Sequence, residues 1–101
     1  MKVSKVSEIT VEHLAEYLRV EYGELDEQEK SLIETLLGVA KAYICSYTGL
    51  DNDGVYLHDE FVIVVYVLVQ DMFDNRVMYV DKSSPNRTVE SILGLHRVNL
   101  L

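Results

Sequence analysis

The sequence is poor in the residues that build covalent links and metal sites. Its 101 residues include one cysteine, one proline, three histidines and no tryptophan. The single Cys45 excludes an intrachain disulfide, and alone it cannot form a zinc site. Apolar neighbours on both sides predict that Cys45 is a small buried or interface side chain in a reducing compartment.

Positive charge is also scarce. The chain has nine Lys and Arg residues and 17 Asp and Glu residues, which gives a formal net charge of -8. The excess of acid is spread along the chain, with five basic against nine acidic residues in 1–50 and four against eight in 51–101. Because phosphate neutralisation supplies most nucleic-acid affinity, tight DNA binding is not expected.

Long apolar runs are missing. The longest run covers residues 61–69, whereas a helix that spans a bilayer needs roughly 20 apolar residues. The first ten residues contain no apolar segment of signal-peptide length. We therefore expect a protein that is cytosolic when made and has no membrane partner.

Catalytic motifs are absent from the sequence. There is no nucleophile elbow and no phosphate-binding glycine loop. The DNDG stretch at residues 51–54 does not fit an EF-hand calcium loop. That loop requires Gly at position six and Glu at position twelve, whereas here Gly54 stands at position four and Val62 at position twelve. Asp71 and Asp74 are one helical turn apart, which favours a solvated face or an ion pair with Arg76. We predict no enzyme activity, no cofactor and no metal.

Hydrophobic periodicity predicts an all-α fold with two long and two short helices. Thr10 is a good N-cap for a first helix over about 11–20, which should end near Gly23. Asp26 and Glu29 have capping-box spacing for a second helix over 27–48, with Gly49 as its end. Residues 1–9 should be extended, and residues 51–54 should form a turn.

A third helix is predicted over 59–79, with Asp59 as its N-cap. The run at 61–69 is rich in β-branched residues and, taken alone, could be a buried strand. The helical spacing continues through Met72, Phe73 and Val77, and no partner strand is evident, so a helix is favoured. Such a helix is apolar nearly all round, and in a chain this short the extra face should meet another subunit or remain exposed.

The C-terminal part is predicted to contain a loop and a short helix. Residues 80–87 should be a loop broken at Pro85, and Thr88 should cap a helix from Val89 to about 95 that ends near Gly94. Residues 96–101 should be extended. The two leucines at 100 and 101 suggest a docking arm at the end of a single domain that spans 1–101.

Three stretches, at residues 9–20, 32–49 and 69–76, carry a family resemblance, and a closing stretch at residues 89–97 adds to it. They are similar to the head–tail connector proteins, or head-completion adaptors, of tailed bacteriophages and prophages. Residues 9–20 are similar to the family's opening helix, and residues 32–49 are similar to its long helix with a Tyr-Thr-Gly type of ending. Residues 69–76 resemble its apolar helix followed by Phe-x-Asn-Arg, and residues 89–97 resemble its last short helix.

This resemblance implies a small antiparallel helical bundle with long second and third helices. It also implies a structural virion protein at the head–tail junction. Members of the connector family form an oligomeric ring, often twelve-fold, that docks on the portal after DNA packaging. The ring extends the channel through which DNA passes, and it presents a surface to the next head-completion or tail-terminator protein. The interface or structural residues expected on this basis are Tyr47, Gly49, Phe73, Asn75, Arg76, Arg97, Leu100 and Leu101.

The resemblance also suggests roles for individual residues. Arg76 should pair with an acid or cap a helix end, and Tyr47 should pack on the end of the second helix. The alternative is a small helical prophage module for protein–protein interaction or regulation. A regulator that binds DNA would need a basic surface, and the sequence offers none.

Overall fold

The computed structural model describes residues 5–77, 79–80 and 87–96, and within these ranges the chain is helical without strands. Two 3₁₀ turns at Val6–Glu8 and Tyr22–Glu24 precede or separate the first helices. The α-helices are α1 (Val11–Leu18), α2 (Glu27–Thr48), α3 (Asn52–Tyr56), α4 (Phe61–Asn75) and α5 (Arg87–His96). The predicted small helical bundle is therefore confirmed.

Side-chain caps fix the starts of α1 and α2 as predicted. The hydroxyl of Thr10 accepts the backbone N–H of His13 at 3.2 Å, and the His13 ring Nδ1 accepts the Thr10 N–H. The carboxylate of Asp26 accepts the Glu29 N–H at 2.7 Å, and Glu29 reaches back to the Asp26 N–H. These reciprocal bonds satisfy N–H groups that have no partner inside the helix.

The ends of the two helices differ. Gly49 ends α2 in the left-handed region at φ 81°, as its position predicts. The first helix ends earlier than expected, at Leu18, because Arg19 adopts the left-handed conformation at φ 61°. An arginine there is not a sequence signal for a helix end, so the prediction of a helix as far as residue 20 is wrong.

Arg19 gives a prediction about stability. A residue with a Cβ atom is strained in the left-handed region, whereas glycine is not. We expect Arg19→Gly to raise the free energy of unfolding by about 0.5–1 kcal/mol. Thermal unfolding followed by circular dichroism measures this as an increase in Tm of a few degrees. Arg19→Ala is the matched control, because alanine keeps the Cβ atom; an equal increase for both variants would contradict the explanation.

The stretch between α2 and α4 is more helical than its composition predicts. The Asp51 carboxylate accepts the Gly54 N–H at 2.8 Å and starts α3, where a turn was expected. At the start of α4 the predicted cap is wrong, because Glu60 holds the N-cap position and makes no side-chain capping bond. The Phe61 N–H instead donates to the His58 carbonyl at 3.2 Å, which continues the preceding turn into the helix.

The β-branched run forms the central helix α4. Eight of its fifteen residues are buried, and α1, α2, α5 and the Val6–Glu8 turn all pack against it. The extra apolar face, which was predicted to meet another subunit or remain exposed, is largely packed against the other helices of the chain, and Ile63 and Val67 on α4 remain half-buried. Val6 is fully buried, so the N-terminal lead contributes to the core through a 3₁₀ turn and is not simply extended.

The last two predicted boundaries also require correction. Helix α4 ends at Asn75 and not at residue 79, since Arg76 turns the chain at φ 54°. Helix α5 begins at Arg87, so Thr88 lies inside its first turn, and the helix continues past Gly94 to His96. Val89 and Leu93 bury one face of α5 against the core. The predicted arm beyond His96 lies outside the described residues.

Candidate functional site

An apolar pocket of about 430 Å³ opens between the first half of α2 and the end of α4. Its apolar lining consists of Leu32, Leu36, Met72, Phe73, Val77 and Tyr79. These positions show that α2 and α4 run antiparallel, because early residues of one lie beside late residues of the other. We refer to this cavity as the apolar pocket.

Local geometry explains how each side of the pocket is built. Leu32 and Leu36 are four residues apart on α2, so their side chains share one face. On the other side, the left-handed Arg76 reverses the chain, and the Val77 N–H donates back to the Met72 carbonyl at 3.0 Å. This reversal places Val77 and Tyr79 beside the end of their own helix.

Arg76 stands at the mouth of the pocket. Its guanidinium carbon lies 4.5 Å from the centre of the Phe73 ring, which is a cation–π contact. Within the part of the chain that the structure describes, Arg76 makes no ion pair. The expected pairing with an acid is therefore not observed there, while its backbone does terminate α4. The guanidinium is exposed and keeps donors for a partner.

Asn75 completes this helix end. Its side-chain Nδ2 donates to the carbonyl oxygen of Asp71 at 2.8 Å. Phe73, Asn75 and Arg76, which the sequence grouped as interface or structural residues, thus lie together at one end of α4. Phe73 alone of the three lies in both the pocket wall and the packing against the core.

Tyr47 and Gly49 lie at the other end of α2. Tyr47 lies eleven positions after Leu36 along the helix, which corresponds to about 16 Å at a rise of 1.5 Å per residue. The Tyr47 ring is 6.0 Å from the Tyr43 ring and packs partly against the core. The predicted residues therefore form two separate groups, while Arg97, Leu100 and Leu101 lie outside the described residues.

Burial raises the pKa of two groups near the end of α2. Desolvation raises the pKa of the Tyr43 phenol, with smaller contributions from Tyr47 and Glu90. Desolvation, and to a smaller extent the negative charge of Asp51, raises the pKa of the Cys45 thiol. The Cys45 Sγ donates a hydrogen bond to Asn52 Oδ1 at 3.4 Å. A thiol with a raised pKa is a poor nucleophile at neutral pH. Cys45 is half-buried and packs against the core.

One carboxyl group near the end of α4 also has a raised pKa. Desolvation, and then the charge of Asp74, raises the pKa of the Asp71 carboxyl. A raised folded-state pKa means that the ionised carboxylate destabilises the fold at neutral pH. This penalty disappears as the pH falls through the folded pKa towards the ordinary value of 3.8.

Asp71→Asn is therefore expected to stabilise the protein slightly at pH 7. The gain should be about 0.5 kcal/mol or less, because the side chain is largely exposed and solvent screens its charge. Urea unfolding at pH 7 and pH 3.5 measures the difference. Stabilisation that persists at the lower pH would contradict the electrostatic cause, and Glu34→Gln on the exposed surface of α2 is the matched control.

Neither a cluster of metal-ligating side chains nor a membrane-spanning helix is found among the described residues. No group of three or more His, Cys, Asp or Glu side chains in residues 5–77, 79–80 and 87–96 could hold a metal ion. No helix in the same ranges is long and apolar enough to cross a bilayer. The apolar pocket with Arg76 at its mouth is the feature of this surface best suited to binding.

The comparisons with known proteins leave the identity open. No protein-family model, no curated protein sequence and no solved structure matches the chain.

Sequence reasoning missed most of the pocket. The sequence predicts Leu32 and Leu36 only as parts of the second helix over 27–48, and Met72 and Tyr79 only as parts of the third helix over 59–79. The i and i+4 spacing of the two leucines was a usable signal for a shared face. No sequence signal indicated that this face would stay partly uncovered, because that depends on where α4 ends.

Proposed function

We propose that the protein is a head–tail connector subunit of a tailed bacteriophage or prophage. It forms an oligomeric ring under the portal, joins head to tail and extends the channel for DNA. Its action is structural, with no enzymatic step and no cofactor. Its partners are copies of itself, the portal protein, and the next head-completion or tail-terminator protein.

The observation that carries this proposal is the site at the end of α4. The Phe-x-Asn-Arg stretch that resembles the connector family forms one wall and the mouth of an exposed apolar pocket. An apolar pocket with a cation at its rim suits the docking of a protein segment. A pocket without converging acid, base or nucleophile groups is a poorer candidate for catalysis.

The net charge supports the same function. A channel wall that DNA must pass without adhering benefits from negative charge, and the chain carries a formal net charge of -8. The small helical bundle is also the fold that the resemblance implies.

A helical prophage module for interaction or regulation is the second candidate. The same apolar pocket favours it, since a binding pocket alone does not identify its partner. The two functions differ in their expected assembly: a connector forms a ring on a portal, whereas a regulator forms a small complex with a single target.

Reading the neighbouring genes and reconstituting the ring together test the proposal. We expect portal and capsid genes immediately upstream of the gene for this chain. The portal from that neighbourhood, mixed with the purified protein, should gain an added ring of density in negative-stain electron microscopy. An unchanged portal at saturating protein would contradict the connector function, and a portal from an unrelated phage is the control.

A further inference from the structure

A second exposed feature lies at the opposite end of α4 from the apolar pocket. Leu57, in the link between α3 and α4, is 81% exposed. Asp59 and Glu60 lie two and three residues after it, beyond the half-buried His58, and are also exposed; Glu60 is 4.0 Å from the His58 ring nitrogen. The chain thus presents a large apolar side chain with carboxylates on its C-terminal side, which we call the Leu57 surface (Leu57, Asp59 and Glu60).

The Leu57 surface and the apolar pocket are complementary in polarity and in charge. The first presents an apolar side chain near negative charge, and the second presents an apolar cavity near positive charge. The pocket accepts apolar groups and carries the exposed guanidinium of Arg76 at its mouth. If Leu57 occupied the pocket of another copy, Asp59, two residues further along the chain, would lie near the rim where that guanidinium stands. A carboxylate and a guanidinium at an interface rim favour one orientation of docking over others.

Among the described residues, one further leucine is highly exposed, and it lacks this complement. Leu95 is 84% exposed on α5, but no carboxylate stands within three residues of it in the sequence. Leu95 therefore offers the apolar group without the charge that would match Arg76. It provides a natural control for the exposure of leucine alone.

The pocket and the Leu57 surface cannot meet within one chain. Helix α4 separates them by fifteen residues, or about 22 Å at a rise of 1.5 Å per residue. Contact between them must be made by two copies. Such contact joins different surfaces of the two copies and leaves one pocket and one Leu57 surface free at the ends, so it propagates into a ring or a filament.

We propose that copies of this protein associate head to tail, with Leu57 of one copy seated in the apolar pocket of the next and Asp59 facing Arg76. This inference rests on the proposed ring only for its closure, because the contact itself would also build an open filament. It identifies the subunit interface, which the proposed function leaves unspecified.

Disulfide trapping tests the contact directly, even where association is weak. The variant carries Leu57→Cys and Tyr79→Cys, with Cys45→Ser to remove the native thiol. Tyr79 is chosen because it lines the pocket and is 62% exposed. At high protein concentration, mild oxidation should give a ladder of dimers, trimers and larger species on a non-reducing gel. The matched control pairs Leu95→Cys with Tyr79→Cys, and at least tenfold less product is expected from it.

Charge exchange tests the orientation. Arg76→Glu and Asp59→Arg should each weaken association at least tenfold in sedimentation velocity, and the double variant should recover most of the loss. A mixture of Leu57→Ser and Arg76→Glu chains should stop at a one-to-one dimer, because each chain keeps one intact surface. Circular dichroism verifies that each variant folds.

The outcomes separate this inference from the proposed function. Equal ladders from the Leu57 and Leu95 pairs, or no ladder with and without the portal, would overturn the head-to-tail contact. If the portal still gains its ring with the Leu57→Ser and Arg76→Glu variants, the connector function stands and the proposed interface fails. If the ladder depends on Leu57 while the portal gains no ring, the interface stands and the connector function fails.

Discussion

Replacing Phe61 with alanine is expected to lower the free energy of unfolding by about 3–5 kcal/mol, the largest effect of any single truncation in the core. Phe61 is fully buried at the first turn of α4, and its ring meets the His58 ring edge-on at 5.4 Å between centres. Removal of the ring takes away its burial and leaves a cavity at the point where α3, the following link and α4 meet.

The loss is large compared with the total stability that a domain of this size can have. Natural domains are stable by about 5–15 kcal/mol, and a chain of 101 residues belongs towards the lower part of that range. We therefore expect a substantial unfolded fraction of Phe61→Ala at 37 °C. Urea unfolding at 25 °C, followed at 222 nm, gives the difference in free energy.

Two other substitutions test the assignment to cavity formation. Phe61→Leu fills most of the space and should lose about half as much, since the cost rises with the volume left empty. Ile63→Ala, on the half-buried face of the same helix, should lose less than Phe61→Ala. A Phe61→Ala protein within 1 kcal/mol of the parent would show that the first turn of α4 contributes little to the core.

The elements that the sequence predicted well are those with local signals at both ends. Helix α2 begins at Glu27 and ends at Thr48, as predicted, because Asp26 with Glu29 defines its start and Gly49 its end.

The central apolar run was predicted as a helix in spite of its β-branched residues. Continued three-to-four spacing outweighed local strand propensity, since tertiary packing on several sides can override propensity.

The boundaries that failed depend on conformations without a sequence signature. Arg19 and Arg76 end α1 and α4 in the left-handed region, where glycine or asparagine is the usual signal. Residues 51–54 have turn composition, yet Asp51 caps a short helix there, because the same side chain suits both roles. Local rules alone do not choose between these outcomes.

The candidate site was predictable only in part, for a related reason. Phe73, Asn75 and Arg76 were identified from a resemblance, and the structure places them at one helix end. The pocket itself arises because α4 ends four residues before the predicted boundary and the chain reverses beside α2. Its position is thus a consequence of tertiary packing and of one left-handed arginine.

Replacing Thr48 with valine is expected to lower the free energy of unfolding by about 1–3 kcal/mol, although the two side chains have nearly the same shape. Thr48 is fully buried at the end of α2. Its hydroxyl donates to the Ile44 carbonyl at 2.7 Å and accepts the Leu50 N–H at 3.2 Å. Valine leaves the Leu50 N–H without that acceptor in a half-buried position, and a donor left unsatisfied there is costly.

Thr48→Ser separates the hydrogen bonds from the packing. Serine keeps the hydroxyl and removes only a methyl group, so Thr48→Ser should lower the free energy of unfolding by about 1 kcal/mol. Urea unfolding ranks the variants, and amide hydrogen exchange at Leu50 identifies the cause. That amide should exchange faster in Thr48→Val and remain protected in Thr48→Ser. Unchanged protection in both variants would mean that the Tyr-Thr-Gly ending is held by Gly49 and by packing alone, and that the buried hydroxyl contributes nothing to it.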